Sequence, residues 1–216
     1  MSENELLEFN QNVLNEINAE ADIQEEIPEA VFFRKFIKVL NESSDPQDYD
    51  EWLQIVNDQE NFKVDGYYFE KDSKEKFTGV IHLFVTDFEQ DKNKLQETLN
   101  LSDVNKIFKR TERFLKIINK KSTILDWEES SPQFKLGIML HDYLDAVYCV
   151  KITLITNKKV SIRSDKFVNS KLKLASKDID IVYNKFDIEN LFRFETSGRV
   201  EPINIIVKEF LENVEF

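Results

Sequence analysis

Cysteine occurs once in the 216 residues, at Cys149, which excludes an internal disulfide framework and every multi-cysteine zinc site. Glycine and proline occur four times each, too few for a loop-rich all-β design and in keeping with long regular elements. No apolar run approaches the roughly 20 residues of a membrane span. The opening "MSENELLEF" lacks the basic head and apolar core of a secretory signal. These absences point to a reduced, cytoplasmic setting away from membranes. No Gly-rich phosphate loop, dinucleotide fingerprint, or serine or cysteine nucleophile motif is present.

What is present is apolar, aromatic and acidic. Hydrophobic residues make up 41% and aromatics 12%, with 18 phenylalanines, enough for a sizeable core and against disorder for most of the chain. The net charge of −12 is uneven: residues 1–60 hold 16 acids and 3 bases. The remaining chain is therefore close to neutral, and only the first part should repel phosphate.

Periodicity sets the element order. Leu6, Val13, Leu14 and Ile17 space an amphipathic helix over 5–20. Pro28 suits the first turn of a second helix, with Phe33, Phe36, Ile37 and Leu40 on its buried face and "NESSDPQD" at its end. A short strand near 52–56 and a better one at 62–69 precede the turn "EKDSKEK" and the long strand "FTGVIHLFVTDF". Ser102 or Asp103 can cap a helix to about Lys121. Ser131-Pro132 opens another, to about Asp145. "AVYCVKITLIT" reads as a buried strand holding Cys149, with "VSIRSDKF" as its continuation. "KDIDIVYNKF" is a further strand, "DIENLFRFETSG" a short helix stopped by Gly198, and "INIIVKEF" a last strand. The pattern is α/β or α+β: a central mixed β-sheet flanked by helices. With no Pro- or Gly-rich linker, 1–216 reads as one domain, an acidic helical pair over 1–45 and a sheet core over 46–216.

Four ordered stretches carry a family resemblance: "EEIPEAVFFRKFIKVL", "VDGYYF", "LFVTDF" followed by "IFKRTERFL", and "FDIENLFRFETSGRVEPINI". Together they resemble the N-terminal domain of the abortive infection phage resistance (AIPR) family. The resemblance implies a PD-(D/E)XK restriction-endonuclease-like core, bacterial antiphage defence, and continuation into a larger C-terminal region.

A nuclease of that type places an acid on an early helix, an Asp in one strand and a Glu-x-Lys or Gln-x-Lys triplet in the next. By position the helix acid is Glu20, Glu26 or Glu29, with Glu26 taken as the metal ligand beside Asp65 and Asp87. Hard carboxylate oxygens of that kind suit Mg²⁺. The triplet would be Val85-Thr86-Asp87, which lacks the lysine. The missing cation is sought on the following helix, at Lys106, Lys109 or Arg110, so Asp65, Asp87 and Lys109 form the candidate catalytic set. Lys106, Lys109, Arg110, Arg113 and Lys116 form a candidate DNA- or RNA-binding strip.

Plainer readings stand beside these. Asp65-Gly66 can simply shape a bulge, Asp87 can cap a turn, and a basic helix face is usually solvated. His82 reads as a packed histidine, and His141 has no second His or Cys near it for zinc. Trp52 and Trp127 read as core or rim packing. Three functions follow: a degenerate nuclease-like domain binding nucleic acid or a partner, such as a C-terminal region or a defence protein; a Mg²⁺-dependent nuclease with a relocated cation; and an interaction module whose acidic first 60 residues dock a basic partner.

Overall fold

In a computed structural model, residues 2–43, 52–161, 169–174 and 177–197 are described. Two helices come first, α1 (Glu3–Gln24) and α2 (Pro28–Ser43). Ser2 and Glu5 close a reciprocal cap at the start of α1, satisfying amides that the first turn leaves open. Then come β1 (Ile55–Asn57), β2 (Phe62–Val64), β3 (Gly66–Lys71), β4 (Phe77–Asp87), and β5 (Thr98–Leu99). Helices α3 (Leu101–Ile118), α4 (Lys121–Leu125) and α5 (Pro132–Tyr143) follow. The order continues through β6 (Cys149–Thr156), β7 (Lys159–Val160), β8 (Ser170–Leu174), β9 (Lys177–Phe186) and α6 (Ile188–Ser197).

The main sheet has five strands in the order β3-β4-β6-β9-β8. Its centre, β4-β6-β9, is parallel, and both edges pair antiparallel. The mixed sheet flanked by helices is the α/β class expected. Parallel central strands need cover on both faces, and two cores supply it. Beneath α3, α4 and α5, the residues Ile81, Leu83 and Val85 meet Ile152, Leu154, Phe108 and Phe114. On the opposite face Phe84, Ile155 and Phe186 meet Phe32, Phe33 and Phe36 of α2, with α1 and α6 alongside.

Several element limits differ from expectation for local reasons. Asn100, not Ser102 or Asp103, caps α3; Asp103 returns a bond to the Asn100 N–H. That helix ends at Ile118 and α4 is separate. Strand β8 was not anticipated, although "SKLKL" buries Leu172 and Leu174 in alternation. Ser131 caps α5 as expected. The strand expected at 203–210, the stop at Gly198, most of the continuation over 160–167 and the loop over 44–48 lie outside the described residues.

A strand break at Asp65 positions the site. Phe62 and Val64 of β2 face the core under α3, and so do Tyr67 and Phe69 of β3. Two residues, Asp65 and Gly66, therefore fall between consecutive core positions where alternation allows one. Both are turned toward α2. A Cβ on Gly66 would lie 2.4 Å from Phe33 Cζ, so any larger residue would force that buried ring to shift.

Candidate functional site

Glu29 in the first turn of α2, Lys63 of β2, Asp65 at the break and Thr86 near the end of β4 meet on the α2 side of the sheet. The Lys63 ammonium is 2.9 Å from Glu29 Oε1, 3.0 Å from the Thr86 carbonyl, 3.1 Å from Thr86 Oγ1 and 3.3 Å from Asp65 Oδ2. The Thr86 N–H donates to Asp65 Oδ2 at 2.7 Å. The Thr86 hydroxyl lies 2.9 Å from that same oxygen and 2.7 Å from Glu29 Oε1. Asp65 is wholly buried, and its other oxygen, Oδ1, has no hydrogen-bond partner among the described residues. The side chains of Lys63 and Glu29 remain 16% and 22% exposed.

Burial alone would push the Lys63 ammonium down, but Asp65 and Glu29 together hold it above the ordinary lysine value. Burial lifts the Asp65 carboxyl above the usual carboxylate range, outweighing the pull of Lys63 and Thr86. The cluster is a nearly closed knot of charge joining α2, β2 and β4.

Asp87 belongs elsewhere. Adjacent strand residues point to opposite faces; Thr86 meets α2, so Asp87 turns toward α3. It shares a cleft of about 460 Å³ with Lys106, Ile107, Arg110, Asp103 and Lys158. Lys158 Nζ sits 3.5 Å from Asp87 Oδ2 and 3.2 Å from Glu89 Oε2. Asp87 and Asp65 therefore share no pocket, contrary to the expected two-aspartate site. The hairpin is a core element, yet its aspartates face apart.

The remaining predicted residues separate in the same way. Glu26 bonds Arg34 on the α1–α2 surface, so Glu29, not Glu26, is the helix acid that reaches Asp65. Lys109, Arg113 and Lys116 are exposed along α3. Lys106 is 3.7 Å from Asp103, Arg110 is 3.0 Å from Asp58, and Lys116 is 3.6 Å from Glu112. Lys109 lies on the α3 side of the sheet, away from the Glu29–Asp65 pair. The expectation missed Lys63 and Thr86. Lys63-Val64-Asp65 carried a signal, because residues two apart on a strand share a face.

Mg²⁺, which the resemblance implies, fits this arrangement poorly. The oxygens of Glu29, Asp65 and Thr86 already surround an ammonium. Among the described residues no group of three or more His, Cys, Asp or Glu side chains is placed to hold a metal. His82 is packed, its Nε2 3.0 Å from Glu70 Oε2, and Lys151 Nζ donates to the same oxygen at 3.2 Å. His141 Nδ1 meets the Ile118 carbonyl. Cys149 is buried on β6. Trp127 packs on the α3-side core and donates to Glu60, while Trp52 packs on the other core.

The geometry defines a mixed α/β domain with a lysine-bridged pair of carboxylates at one end of its sheet. The model of the abortive infection phage resistance protein N-terminal domain matches residues 32–193, and the chain belongs to that family. Membership supports a role in phage resistance. No curated protein and no solved structure matches the chain. Among the described residues no helix is long and apolar enough to cross a membrane.

Proposed function

We propose that the chain serves phage resistance in the cytoplasm as a restriction-endonuclease-like domain that grips nucleic acid through α3 and does not cut it. The non-cutting part is carried by the β4 side chains that share a face with Asp65. These are Phe84, buried against Phe33, and Thr86, bonded to Asp65 and Glu29. Metal-assisted phosphodiester hydrolysis needs hard oxygen ligands there and a cation free to meet phosphate. Phe84 offers no ligand, and Lys63 is engaged by both acids.

The grip is supported by Lys106, Lys109, Arg113 and Lys116, exposed at steps of three and four along roughly 15 Å of helix. Their ion pairs at the surface are weak and exchangeable for phosphate. Arg110 and Lys158 line the adjoining cleft, where Asp87, Glu97 and Asp103 offset their charge. The acidic α1–α2 pair packs on the opposite face of the sheet and leaves this strip clear.

The test is incubation with single- and double-stranded DNA and RNA, with Mg²⁺ or Mn²⁺, between 50 and 200 mM salt. The expected result is no cleavage and salt-sensitive binding. Replacing Lys109 and Arg113 together by Ala should weaken it on every sequence and reduce the salt slope by about two. Cleavage lost in Asp65→Ala would install the alternative, a Mg²⁺-dependent nuclease with a relocated cation.

A second reading, a protein-docking module, is favoured by a groove of about 1160 Å³ between α1 and α2, with Ile27, Phe33, Ile37 and Trp52 in its wall. Trp52 Nε1 and Asn41 Oδ1 beside it have no hydrogen-bond partner among the described residues. The groove walls carry Glu20, Glu25, Glu26 and Glu42 against Arg34, Lys35 and Lys38, a small acidic excess. Absence of nucleic-acid binding, with a shift in Trp52 fluorescence on adding a partner, would select this reading.

A further inference from the structure

Four oxygens surround Lys63 Nζ, from a carboxylate on α2, a carboxylate at the β2–β3 break, and the carbonyl and hydroxyl of one β4 residue. Their distances, 2.9 to 3.3 Å, are those of N–H···O bonds. Mg²⁺ draws its oxygens to about 2.1 Å in a near-octahedral set that normally keeps several waters. To seat it here, each oxygen would have to move inward by about 1 Å and the lysine would have to leave. Asp65 is wholly buried, so waters to complete the octahedron have little room on its side. The competing cation is also tethered: Lys63 is two residues from Asp65 on the same strand face, so its binding is intramolecular and independent of concentration.

We infer that the Lys63 ammonium is the resident cation of the Glu29–Asp65 pair, taking the place of the divalent ion that the family resemblance implies and pinning α2 to the sheet in its stead. The domain is thus metal-independent at this site, and the oxygen set becomes available to a divalent ion only when the lysine is removed. This holds whether or not α3 binds nucleic acid.

The test uses the whole chain labelled with ¹⁵N at the lysine Nζ. A partly buried ammonium held by two carboxylates should give a resolved signal for Lys63, assigned by its loss in Lys63→Arg. Titration with Mn²⁺ to millimolar concentration should leave that signal unbroadened and the melting temperature unchanged. In Lys63→Ala the melting temperature should fall, and Mn²⁺ should raise it by several degrees through preferential binding to the folded state. That rise should vanish in Lys63→Ala combined with Asp65→Asn. Selective broadening of the wild-type Lys63 signal by Mn²⁺ would overturn the inference. So would a folded Lys63→Ala protein whose melting temperature ignores Mn²⁺. If Lys63→Ala does not fold with or without the ion, the wild-type titration decides alone. Cleavage or nucleic-acid binding by α3 enters none of these readouts, so failure here is separable from failure of the reading above.

Discussion

Thr86 and Asp87 are neighbours in sequence and belong to different chemistries. On the α2 side, Thr86 joins Glu29, Lys63 and Asp65 in a knot whose central carboxylate is wholly buried. On the α3 side, Asp87 opens into a cleft with Lys158, Lys106 and Arg110. The first set closes on a wholly buried carboxylate; the second centres on Asp87, whose side chain is 31% exposed. Charge in the first is structural in its consequences, because an unpaired buried carboxylate is costly. Charge in the second is available to a ligand, because solvent screens its pairs.

The difference can be broken from the buried side first. Lys63→Ala strands Asp65 and Glu29, and urea unfolding should show a loss of about 3–5 kcal/mol, the scale for breaking a buried pair. Thr86→Val keeps the shape and removes one hydroxyl shared by two carboxylates; the same measurement should show about 1–3 kcal/mol. Asp87→Asn on the cleft side should cost about 1 kcal/mol or less. An equal cost for Asp87→Asn and Lys63→Ala would erase the contrast.

The smallest effect concerns pH, and a third polar cluster supplies it. Burial first, and Lys151 next, hold the His82 imidazole below its ordinary value of 6.5, against the pull of Glu70. The unfolded chain then takes up this proton before the folded one does. Stability attributable to His82 is therefore full above about pH 6.5 and is lost as pH falls toward the depressed folded value. Glu70, held below 4.5 by His82 and Lys151 despite burial, loses its share as pH falls below that value. His82→Gln should flatten the upper part of this acid limb in pH-dependent denaturation curves while leaving the Lys63 knot intact.

Much of the scaffold was legible because its periods are clean. The faces of α1, α2 and α3, and the run that becomes β6, announce themselves by spacing alone. The Phe62–Phe88 hairpin was legible as strands and turn, but not its change of facing at Asp65. That change depends on the Phe33 ring and the Gly66 backbone approaching each other across the fold. Expecting the triplet at Val85-Thr86-Asp87 put the wrong pair of β4 residues opposite Asp65. Once the break is known, Phe84 and Thr86 are the residues that face it. Glu29 was one of three helix acids and became distinct only when α2 docked, while Glu26 remained with Arg34. Strand β8 gives a weak signal because its alternation, Lys171-Leu172-Lys173-Leu174, is short and half lysine.

The most direct measurement is a pair of double-mutant cycles read by urea denaturation. Lys63→Met with Asp65→Asn should show a coupling of about 2 kcal/mol or more, and Asp65→Asn with Asp87→Asn should add to within about 0.5 kcal/mol. Strong coupling between the two aspartates, with none between Lys63 and Asp65, would mean that they share one site after all and would contradict the account.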